Sequence, residues 1–321
     1  MRVRVLLVLL AFALTSAGCG TATSPLSVTI APIDPSPEGA QVNTTPSAAG
    51  NADCGDREAS LRPGPQPAPG AMPPGSTMAA IFERGRLVVG VDQNTYLFGF
   101  RDPSTGVLEG FDIDIAREIA RGIFGDPDRV DLKVVDADER ESSLQSGEVD
   151  LVVRTYTITC ERKKSVAFST VYYYAYQRIL APKGSGIDSP AALSGKRVCA
   201  VSGTTSVKTL LAIDPTPTLF NVKSWTDCLL MLQQGQVDVI STDDTVLQGL
   251  AAQDPNVDVF GASMSTEPYG IGIKMENSDL VRFVNGVLDR MRVDGTWERV
   301  YAARLRALGP SPGPPPARYQ D

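Results

Sequence analysis

The sequence predicts an α/β protein of two lobes that the chain crosses twice at a hinge, which makes a clamp with a cleft at the crossing. The 321 residues are enough for two globular lobes with extra segments at the ends. Between those segments, short strand patterns alternate with amphipathic helix patterns, as in sheets covered on both faces. The pattern G-x-V-D occurs twice, at 147–150 and 235–238, so the second half restates the first.

The first lobe is predicted to comprise residues 78–176 together with 268–308. Short apolar runs predict its strands, and apolar residues at helical spacing predict its helices. Acidic residues at the start of the first helix agree with the helix dipole. In chain order the elements are strand 86–91, helix 111–123, strand 130–135, helix 139–144, strand 149–153 and one or two closing helices over 279–305.

The second lobe is predicted to comprise residues 177–267. A crossing strand enters it, a loop of small residues precedes its first helix, and the stretch 268–273 carries the chain back. In chain order the elements are crossing strand 177–181, strand 195–201, loop 202–206, helix 207–212 and strand 235–240.

The N-terminus is typical of an exported chain. An apolar run at 5–14 follows two arginines and is too short to span a bilayer, so residues 1–18 are predicted to be a signal peptide. Residues 16–19, SAGC, resemble a bacterial lipobox, although Ser16 stands where leucine is usual. Lipidation of Cys19 would anchor the protein to the cell membrane on the extracytoplasmic face. The alternative is an ordinary secretory peptide with Cys19 a spectator.

Two further segments are predicted to lie outside the lobes. Residues 19–77 are rich in Pro, Ser, Thr, Ala and Gly and predict a flexible tether. Within it, the piece 54–63 is less repetitive and could be ordered through a disulfide. Residues 309–321, GPSPGPPPARYQD, have no core residues and predict a disordered tail.

Composition excludes several classes of function. The chain has 30 Lys and Arg against 37 Asp and Glu, a net charge of −7, so a nucleic-acid partner is not expected. It has no histidine, which excludes Ser-His-Asp hydrolysis and His-ligated zinc. No metal or cofactor is expected, and a monomer is predicted.

Four cysteines follow the signal region, at positions 54, 160, 199 and 228. An even number in an exported chain predicts two disulfides, with three possible connectivities. Because Cys199 and Cys228 both fall in the second lobe, we expect them to pair, which leaves Cys54 with Cys160. A CxxC spacing is absent, so metal binding by these thiols is not expected.

Three ordered motifs carry a family resemblance: G-x-V-D at 147–150, T-I-T-x-E-R at 157–162 and F-S at 168–169. They resemble the extracellular solute-binding proteins that serve polar amino-acid ABC importers, over roughly 86–303, and are similar to glutamate- and glutamine-binding lipoproteins of actinobacteria. The resemblance implies a periplasmic-binding-protein-like clamp. It also implies a receptor that closes on glutamate, aspartate, glutamine or asparagine and delivers it to an ABC permease.

The carboxylate of an amino acid is predicted to bind Arg162. Its planar guanidinium can hold both oxygens, and the resemblance implies the same role. Thr155 and Thr157 lie just past a buried strand, where open α/β sheets place their ligands. From the second lobe, Thr204 and Thr205 would add backbone N–H groups at a helix N-terminus. The alternatives are a surface arginine and a simple helix cap.

The ammonium is predicted to bind Asp243, which the resemblance favours over Asp244 because of its distance from the second G-x-V-D. Asp244 would then be a cap or a supporting group. The hydroxyl and backbone carbonyl of Thr157 would complete the cage around the same ammonium. Each aspartate could also be an ordinary helix N-cap.

The wall around the ligand's side chain departs from the resemblance. Relatives often place aromatic residues at two positions that correspond here to Thr95 and Ala137. Tyr96 and Phe98 lie close in sequence to the first of these. We therefore expect Tyr96 and Phe98 to contribute to the ligand wall.

Arg154 is the unusual residue near the predicted site. A guanidinium there matches a second carboxylate and would favour glutamate or aspartate. The alternative is an internal ion pair with Asp92 or Glu139. Asp92 could instead accept a hydrogen bond from a side-chain amide, which keeps glutamine and asparagine open.

Three functions are compatible with such a clamp. The first is a receptor that delivers its ligand to an ABC permease, and the second is a sensor that reports the ligand to a membrane signalling receptor. The third is a cleft enzyme, for which Asp243, Asp244 or Glu139 would have to act as acid or base. Since each of these carboxylates has a simpler role, we predict that the protein is not an enzyme.

Overall fold

The computed structural model describes residues 35–43, 53–213 and 216–321, and residues 36–321 form one compact unit. The predicted signal peptide and Cys19 lie outside the described residues. Within them, no helix is long and apolar enough to cross a membrane.

The described residues form fourteen strands and eight α-helices. The strands are β1 (Gln41–Asn43), β2 (Leu87–Val91), β3 (Asn94–Thr95), β4 (Gly99–Arg101), β5 (Leu108–Glu109), β6 (Val130–Val134), β7 (Leu151–Val152), β8 (Val166–Phe168), β9 (Tyr173–Pro182), β10 (Arg197–Val201), β11 (Thr218–Val222), β12 (Val239–Asp243), β13 (Val257–Tyr269) and β14 (Gly272–Lys274). The helices are α1 (Thr77–Arg84), α2 (Phe111–Phe124), α3 (Arg140–Ser146), α4 (Thr205–Leu211), α5 (Trp225–Gln233), α6 (Asp244–Ala251), α7 (Ser278–Val293) and α8 (Thr296–Arg304).

Lobe 1 is built on a five-stranded sheet in the order β6-β2-β7-β14-β8. Strands β6, β2 and β7 are parallel, and β14 is antiparallel to both of its neighbours. Helix α2 packs on this sheet because its apolar residues recur every fourth position, which puts them on one face. Four residues at this spacing are fully buried: Phe111, Ile115, Ile119 and Ile123.

Lobe 2 is built on a six-stranded sheet in the order β1-β11-β10-β12-β9-β13. Strand β10 is parallel to β11 and β12, whereas β9 is antiparallel to β12. Its helices are α4, α5 and α6. The mixed sheet contains the parallel strands that the alternating pattern predicts.

Two long antiparallel strands, β9 and β13, connect the lobes. The start of β9 and the end of β13 pack in the core of lobe 1 through Tyr173 and Tyr269. The opposite ends pack in lobe 2, where Leu180 and Val257 belong to one buried cluster. The chain therefore crosses twice between two α/β lobes, which confirms the predicted architecture.

The predicted disulfides are confirmed. Cys54 is bonded to Cys160 with 5.4 Å between the Cα atoms, and Cys199 to Cys228 with 5.5 Å. The first joins the N-terminal segment to lobe 1. The second joins β10 to α5 within lobe 2.

The structure corrects the prediction of a disordered tail at 309–321. Tyr319 pairs with Ser60 in a parallel bridge, and its hydroxyl donates to Asp289 at 2.5 Å. The carbonyl of Pro315 accepts from Arg292 at 2.9 Å. Apolar periodicity does not reveal such a segment, because polar side chains and backbone carbonyls attach it.

The predicted tether is also corrected in part. Residues 41–43 form β1 at the edge of the lobe 2 sheet, and Ala59 and Ser60 are buried against lobe 1. Ser60 donates to the carbonyl of Phe168 at 2.6 Å. Residues 53–76 therefore belong with lobe 1, and the remaining predicted tether, at 19–34 and 44–52, lies outside the described residues.

Candidate functional site

A cavity lies between the two lobes. Its lining residues are Arg140, Arg154, Thr155, Thr157 and Arg162 from lobe 1, and Thr204, Thr205, Ser206, Trp225, Thr242, Asp243 and Val246 from lobe 2. Seven of the ten residues predicted to bind a ligand are in this set; Asp92, Tyr96 and Phe98 are not. The lobe 1 wall carries three guanidinium groups, and the lobe 2 wall carries one carboxylate.

Arg162 is directed into the cavity from a 3-10 turn, Arg162–Lys164, where the side-chain oxygen of Thr159 accepts from its backbone N–H at 3.1 Å. Its Nη1 donates to the carbonyl of Thr157 at 2.7 Å, and its Nη2 donates to the carbonyl of Gly203 in lobe 2 at 2.8 Å. The side chain is only 10% exposed, with Glu141 3.6 Å from its Nε. Arg162 is therefore not an ordinary surface arginine.

Arg140 is a second cation in the wall, which the sequence analysis missed. It is buried at the start of α3, 4.3 Å from the ring of Tyr156, and donates to the carbonyls of Ala137 at 2.8 Å and Gly203 at 3.0 Å. Burial, followed by the nearby charge of Arg162, lowers the pKa of Arg140 to about 9. A usable signal is its position four residues before the buried Leu144, on the same helix face.

Asp243 is the anion of the opposite wall. It is the last residue of β12, and its Oδ2 accepts from the hydroxyl of Tyr269. Its Oδ1 is buried and has no hydrogen-bond partner among the described residues. Burial, with the negative charge of Glu267 as the next cause, raises the pKa of Asp243 well above its usual value. Within the described ranges, this carboxylate thus has no ion-pair partner on the cavity side.

The neighbouring Asp244 has a different environment. Its Oδ1 accepts from the backbone N–H of Thr245 at 2.8 Å and of Tyr176 at 3.1 Å. It lies outside the cavity lining, is the first residue of α6 and holds the crossing strand β9 through the backbone of Tyr176. These contacts favour Asp243 as the ligand-binding aspartate.

The predicted threonines of lobe 1 line the cavity through constrained backbone. Thr155 has a φ of 38°, in the left-handed region, and its N–H donates to Asp112 at 2.8 Å. Asp112 is fully buried and also accepts from the hydroxyl of Tyr172, and burial raises its pKa to about 6. Thr157 pairs with Tyr269 of the returning strand. The two threonines that precede Arg162 in the chain are thus held in place by contacts with buried residues.

In lobe 2, the hydroxyls of Thr204 and Thr205 are engaged within the protein. Thr204 donates to the carbonyl of Val201, and Thr205 donates to Glu267, both at 2.7 Å. The backbone N–H groups of the first turn of α4 have no intrahelical acceptor. These two threonines can therefore face a ligand through backbone groups rather than through side-chain hydroxyls.

Arg154 forms the internal ion pair that the sequence analysis left as an alternative. Its Nη2 lies 3.3 Å from Asp92 Oδ2, with both side chains 4% exposed. Asp92 also accepts from the hydroxyl of Thr95 at 2.5 Å and from two backbone N–H groups. Asp92 is thus a structural carboxylate rather than part of the cavity wall. Arg154 lines the cavity, and its Nε is buried and has no partner among the described residues.

The predicted aromatic wall is corrected. Phe98 lies in the turn between β3 and β4 and is 0% exposed. It packs against Phe111, Tyr173 and Tyr269 in the lobe 1 core. Tyr96 is 37% exposed and lies outside the lining. The cavity's aromatic side chain comes instead from Trp225 of lobe 2, which begins α5 after a Ser224 cap.

The lobes touch across the cleft. At Gly203, whose φ is +72°, a side chain would place its Cβ 2.6 Å from the Cα of Asp138 in lobe 1, so only glycine fits there. Lys208 of lobe 2 also pairs with Glu161 of lobe 1. Ligand entry therefore requires these contacts to open.

Comparison with known proteins gives consistent results. A family model described as bacterial extracellular solute-binding proteins, family 3, matches residues 87–304. The chain is 40% identical over 226 residues to the ABC transporter glutamine-binding protein GlnH of Bacillus subtilis, covering 70% of this chain and 83% of that one. It is 29% identical to the glutamate-binding protein GluB of Corynebacterium glutamicum, covering 72% and 82%.

Among solved structures, the chain resembles a solute receptor for L-cysteine from Neisseria gonorrhoeae. The TM-score is 0.71 at 29% identity, over 74% of this chain and 98% of the other.

Proposed function

This chain belongs to the bacterial extracellular solute-binding proteins, family 3, and we propose that it is a receptor that binds a free polar amino acid and delivers it to an ABC permease. Members of this family bind solutes and are not enzymes. The observation that carries the proposal is the pairing of charges across the cavity. Arg162 lies in one wall. Asp243 lies in the other, and its Oδ1 has no partner in the part of the chain that the structure describes.

The two ends of an amino acid match these walls. In lobe 1, Arg140 and Arg162 carry two positive charges. Among the described residues only Glu141 lies close enough to Arg162 to pair, so one α-carboxylate would balance the remaining positive charge. In lobe 2, an α-ammonium would supply the missing partner of Asp243. Because a buried unpaired charge is costly, binding both ends would relieve both walls.

The carboxylate would meet Arg162 and the N–H groups that begin α4, and the ammonium would meet Asp243 and the carbonyl of Thr157. That carbonyl and the carbonyl of Gly203 accept from Arg162 in this structure. A bound ligand would exchange the Gly203 contact for its own carboxylate. Charge-assisted pairs of this kind are shorter and stronger than bonds to neutral carbonyls.

The side chain of the ligand would lie near Arg154 and Trp225. Glutamine, glutamate, asparagine and aspartate all offer an oxygen that can accept from Arg154 Nε. Since Arg154 is already neutralised by Asp92, a neutral amide needs no further counter-charge, which favours glutamine and asparagine. The glutamine-binding relative from Bacillus subtilis supports the same class.

The test is calorimetric titration of the purified chain with each common amino acid. We expect binding of these four, with the amides tightest. Arg162→Ala should weaken binding at least about thirtyfold, because the partner charge is left unpaired. Lys164→Ala, an exposed cation in the same turn, is the matched control and should bind normally. Equal affinities of the two variants, or no binding of any of the four, would contradict the proposal.

We also propose that Cys19 carries a lipid that holds the receptor at the cell membrane. The SAGC motif and the two disulfides, which are typical of exported proteins, support it. When the full chain is expressed in bacteria and the cells are fractionated, the wild type should be recovered with the membranes. The Cys19→Ala variant should not. Retention of Cys19→Ala in the membrane fraction would contradict lipid anchoring.

A further inference from the structure

A short N-terminal segment lies behind the turn that carries Arg162. We propose that residues 54–60, which we term the strap, position Arg162 for the ligand and so set the affinity of the cleft. The strap precedes the region matched by the family model, 87–304. The inference rests on the proposed function and assigns a role to a segment outside the cavity.

The strap fixes the chain on both sides of Arg162. Two residues before it, Cys160 is bonded to Cys54 of the strap. One residue after it, Lys163 Nζ donates to the carbonyls of Arg57 at 3.0 Å and Ala59 at 2.8 Å. The backbone that directs the guanidinium into the cavity is thus held from outside.

The strap is itself attached to lobe 1. Ser60 donates to the carbonyl of Phe168 at 2.6 Å and accepts from Asn285 of α7 at 2.8 Å. Its backbone also pairs with the C-terminal segment, where Ser60 N–H donates to the carbonyl of Arg318 at 3.0 Å. Lobe 1 and the C-terminal segment therefore both hold the strap at Ser60.

The strap also contacts both crossing strands. Glu58 accepts from the hydroxyl of Tyr174, on β9, at 2.6 Å. Arg57 donates to the carbonyl of Thr266, on β13, at 3.2 Å. One segment thus links the Arg162 turn to the two strands that join the lobes, and it holds the cation in register with the hinge.

The turn that carries Arg162 is held by local bonds, since the Thr159 side chain accepts from the Arg162 N–H and the Thr157 carbonyl accepts from Nη1. It is a single 3-10 turn, and such turns are weaker than α-helix because their hydrogen bonds are poorly aligned. A side chain that is ordered before binding loses less entropy when it binds. Without the strap, Arg162 would keep only these local bonds and its contacts across the cleft, so more of its ordering would be left to the ligand, and affinity should fall by about three- to tenfold.

The chain offers two matched pairs for the test. Lys163→Met removes the bonds to the strap, whereas Lys164→Met removes the same charge from an exposed neighbour. Cys54→Ser with Cys160→Ser releases the strap, whereas Cys199→Ser with Cys228→Ser removes the disulfide of lobe 2. Each variant is titrated with L-glutamine, and hydrogen exchange of residues 159–165 is measured without ligand.

We expect faster exchange of residues 159–165 and three- to tenfold weaker glutamine binding for Lys163→Met and for the strap disulfide variant. Lys164→Met and the lobe 2 disulfide variant should match the wild type in both, although both disulfide variants should melt earlier. Unchanged exchange and affinity in Lys163→Met would overturn the positioning role. A wild type that binds none of the four amino acids would count against the proposed function, while faster exchange would still support the strap.

Discussion

The two lobes begin their ligand-bearing strands with the same motif and end them with opposite charges. G-x-V-D occurs at 147–150, before β7, and at 235–238, before β12. In both copies the glycine ends a helix in the left-handed region, with a φ of 75° at Gly147 and 68° at Gly235. The motif is thus a helix-to-strand connection, and the strand itself follows it.

The motif's aspartate makes the same backbone contacts in both lobes. Asp150 accepts from the N–H of Val88 at 2.8 Å, and its own N–H donates to the carbonyl of Val88. Asp238 accepts from the N–H of Arg197 at 2.8 Å, and its own N–H likewise donates to the carbonyl of Arg197. In each case the partner lies on the parallel strand next to it, so both aspartates fix strand register.

At the far ends of these strands the lobes differ. After β7 the chain places Arg154 and then Arg162 in the cavity, whereas β12 ends at Asp243. The shared motif therefore specifies the scaffold, and the chemistry resides at the carboxyl ends of the strands, as in other open α/β sheets. Substitutions at the carboxyl end of a strand should therefore change ligand affinity, whereas substitutions in the motif at its other end should change stability.

The largest effect is expected for Asp243→Asn, which removes the anion of lobe 2 and keeps its shape. The ligand ammonium would lose its charged partner, so affinity should fall by at least about thirtyfold in calorimetric titration. The ligand-free protein should not melt earlier, because the raised pKa of Asp243 reflects a cost of burying its charge.

The matched control is Asp244→Asn, next in sequence but outside the cavity. It should retain most of the affinity, since the Asp244 carboxylate holds two backbone N–H groups and does not line the cavity. If Asp244→Asn weakened binding more than Asp243→Asn, Asp244 and not Asp243 would be the ligand-binding aspartate.

The pH dependence of binding should follow the same carboxylate. Glu267, Asp244, Tyr269 and Arg140 act on Asp243, but burial is the largest cause of its raised pKa. As the pH falls through that raised pKa, Asp243 takes up a proton that the ligand ammonium must displace. Affinity should therefore fall by up to about tenfold per pH unit, with proton release on binding.

Stability of the ligand-free protein should change in the opposite sense. A carboxyl whose folded pKa is raised contributes its full stability at a pH below its unfolded pKa, near 3.8. That contribution is lost as the pH rises through the folded pKa.

The proton released on ligand binding is measured by calorimetric titrations in buffers of different ionisation enthalpy. A wild type with no more proton release than Asp243→Asn would contradict this assignment.

Much of this arrangement can be predicted from the sequence because it is local. Arg162 and Asp243 follow recognisable strands at fixed distances, and the alternating pattern gives both lobes. Arg140 and Trp225 could not be assigned in this way, because their positions depend on how helices pack across the cleft. The strap and the tail are attached by polar contacts with distant residues, which leave no periodic pattern.

The smallest effect on binding is expected from the shared aspartates. Asp150→Asn and Asp238→Asn each weaken a bond to the neighbouring strand, so each should lower the free energy of unfolding by about 1 kcal/mol. Both lie at the end of the strand away from the cavity, and glutamine affinity should stay within about twofold.

Denaturant unfolding of the two variants measures the free energy of unfolding, and calorimetric titration measures their glutamine affinity. Asp150 has the less exposed side chain, 14% against 30% for Asp238, so its loss of stability should be at least as large. If either variant lost affinity without losing stability, that end of the strand would contribute to recognition. Equal affinities with lower stability in both would instead assign register to the motif and recognition to the opposite strand ends, where one lobe supplies a cation and the other an anion.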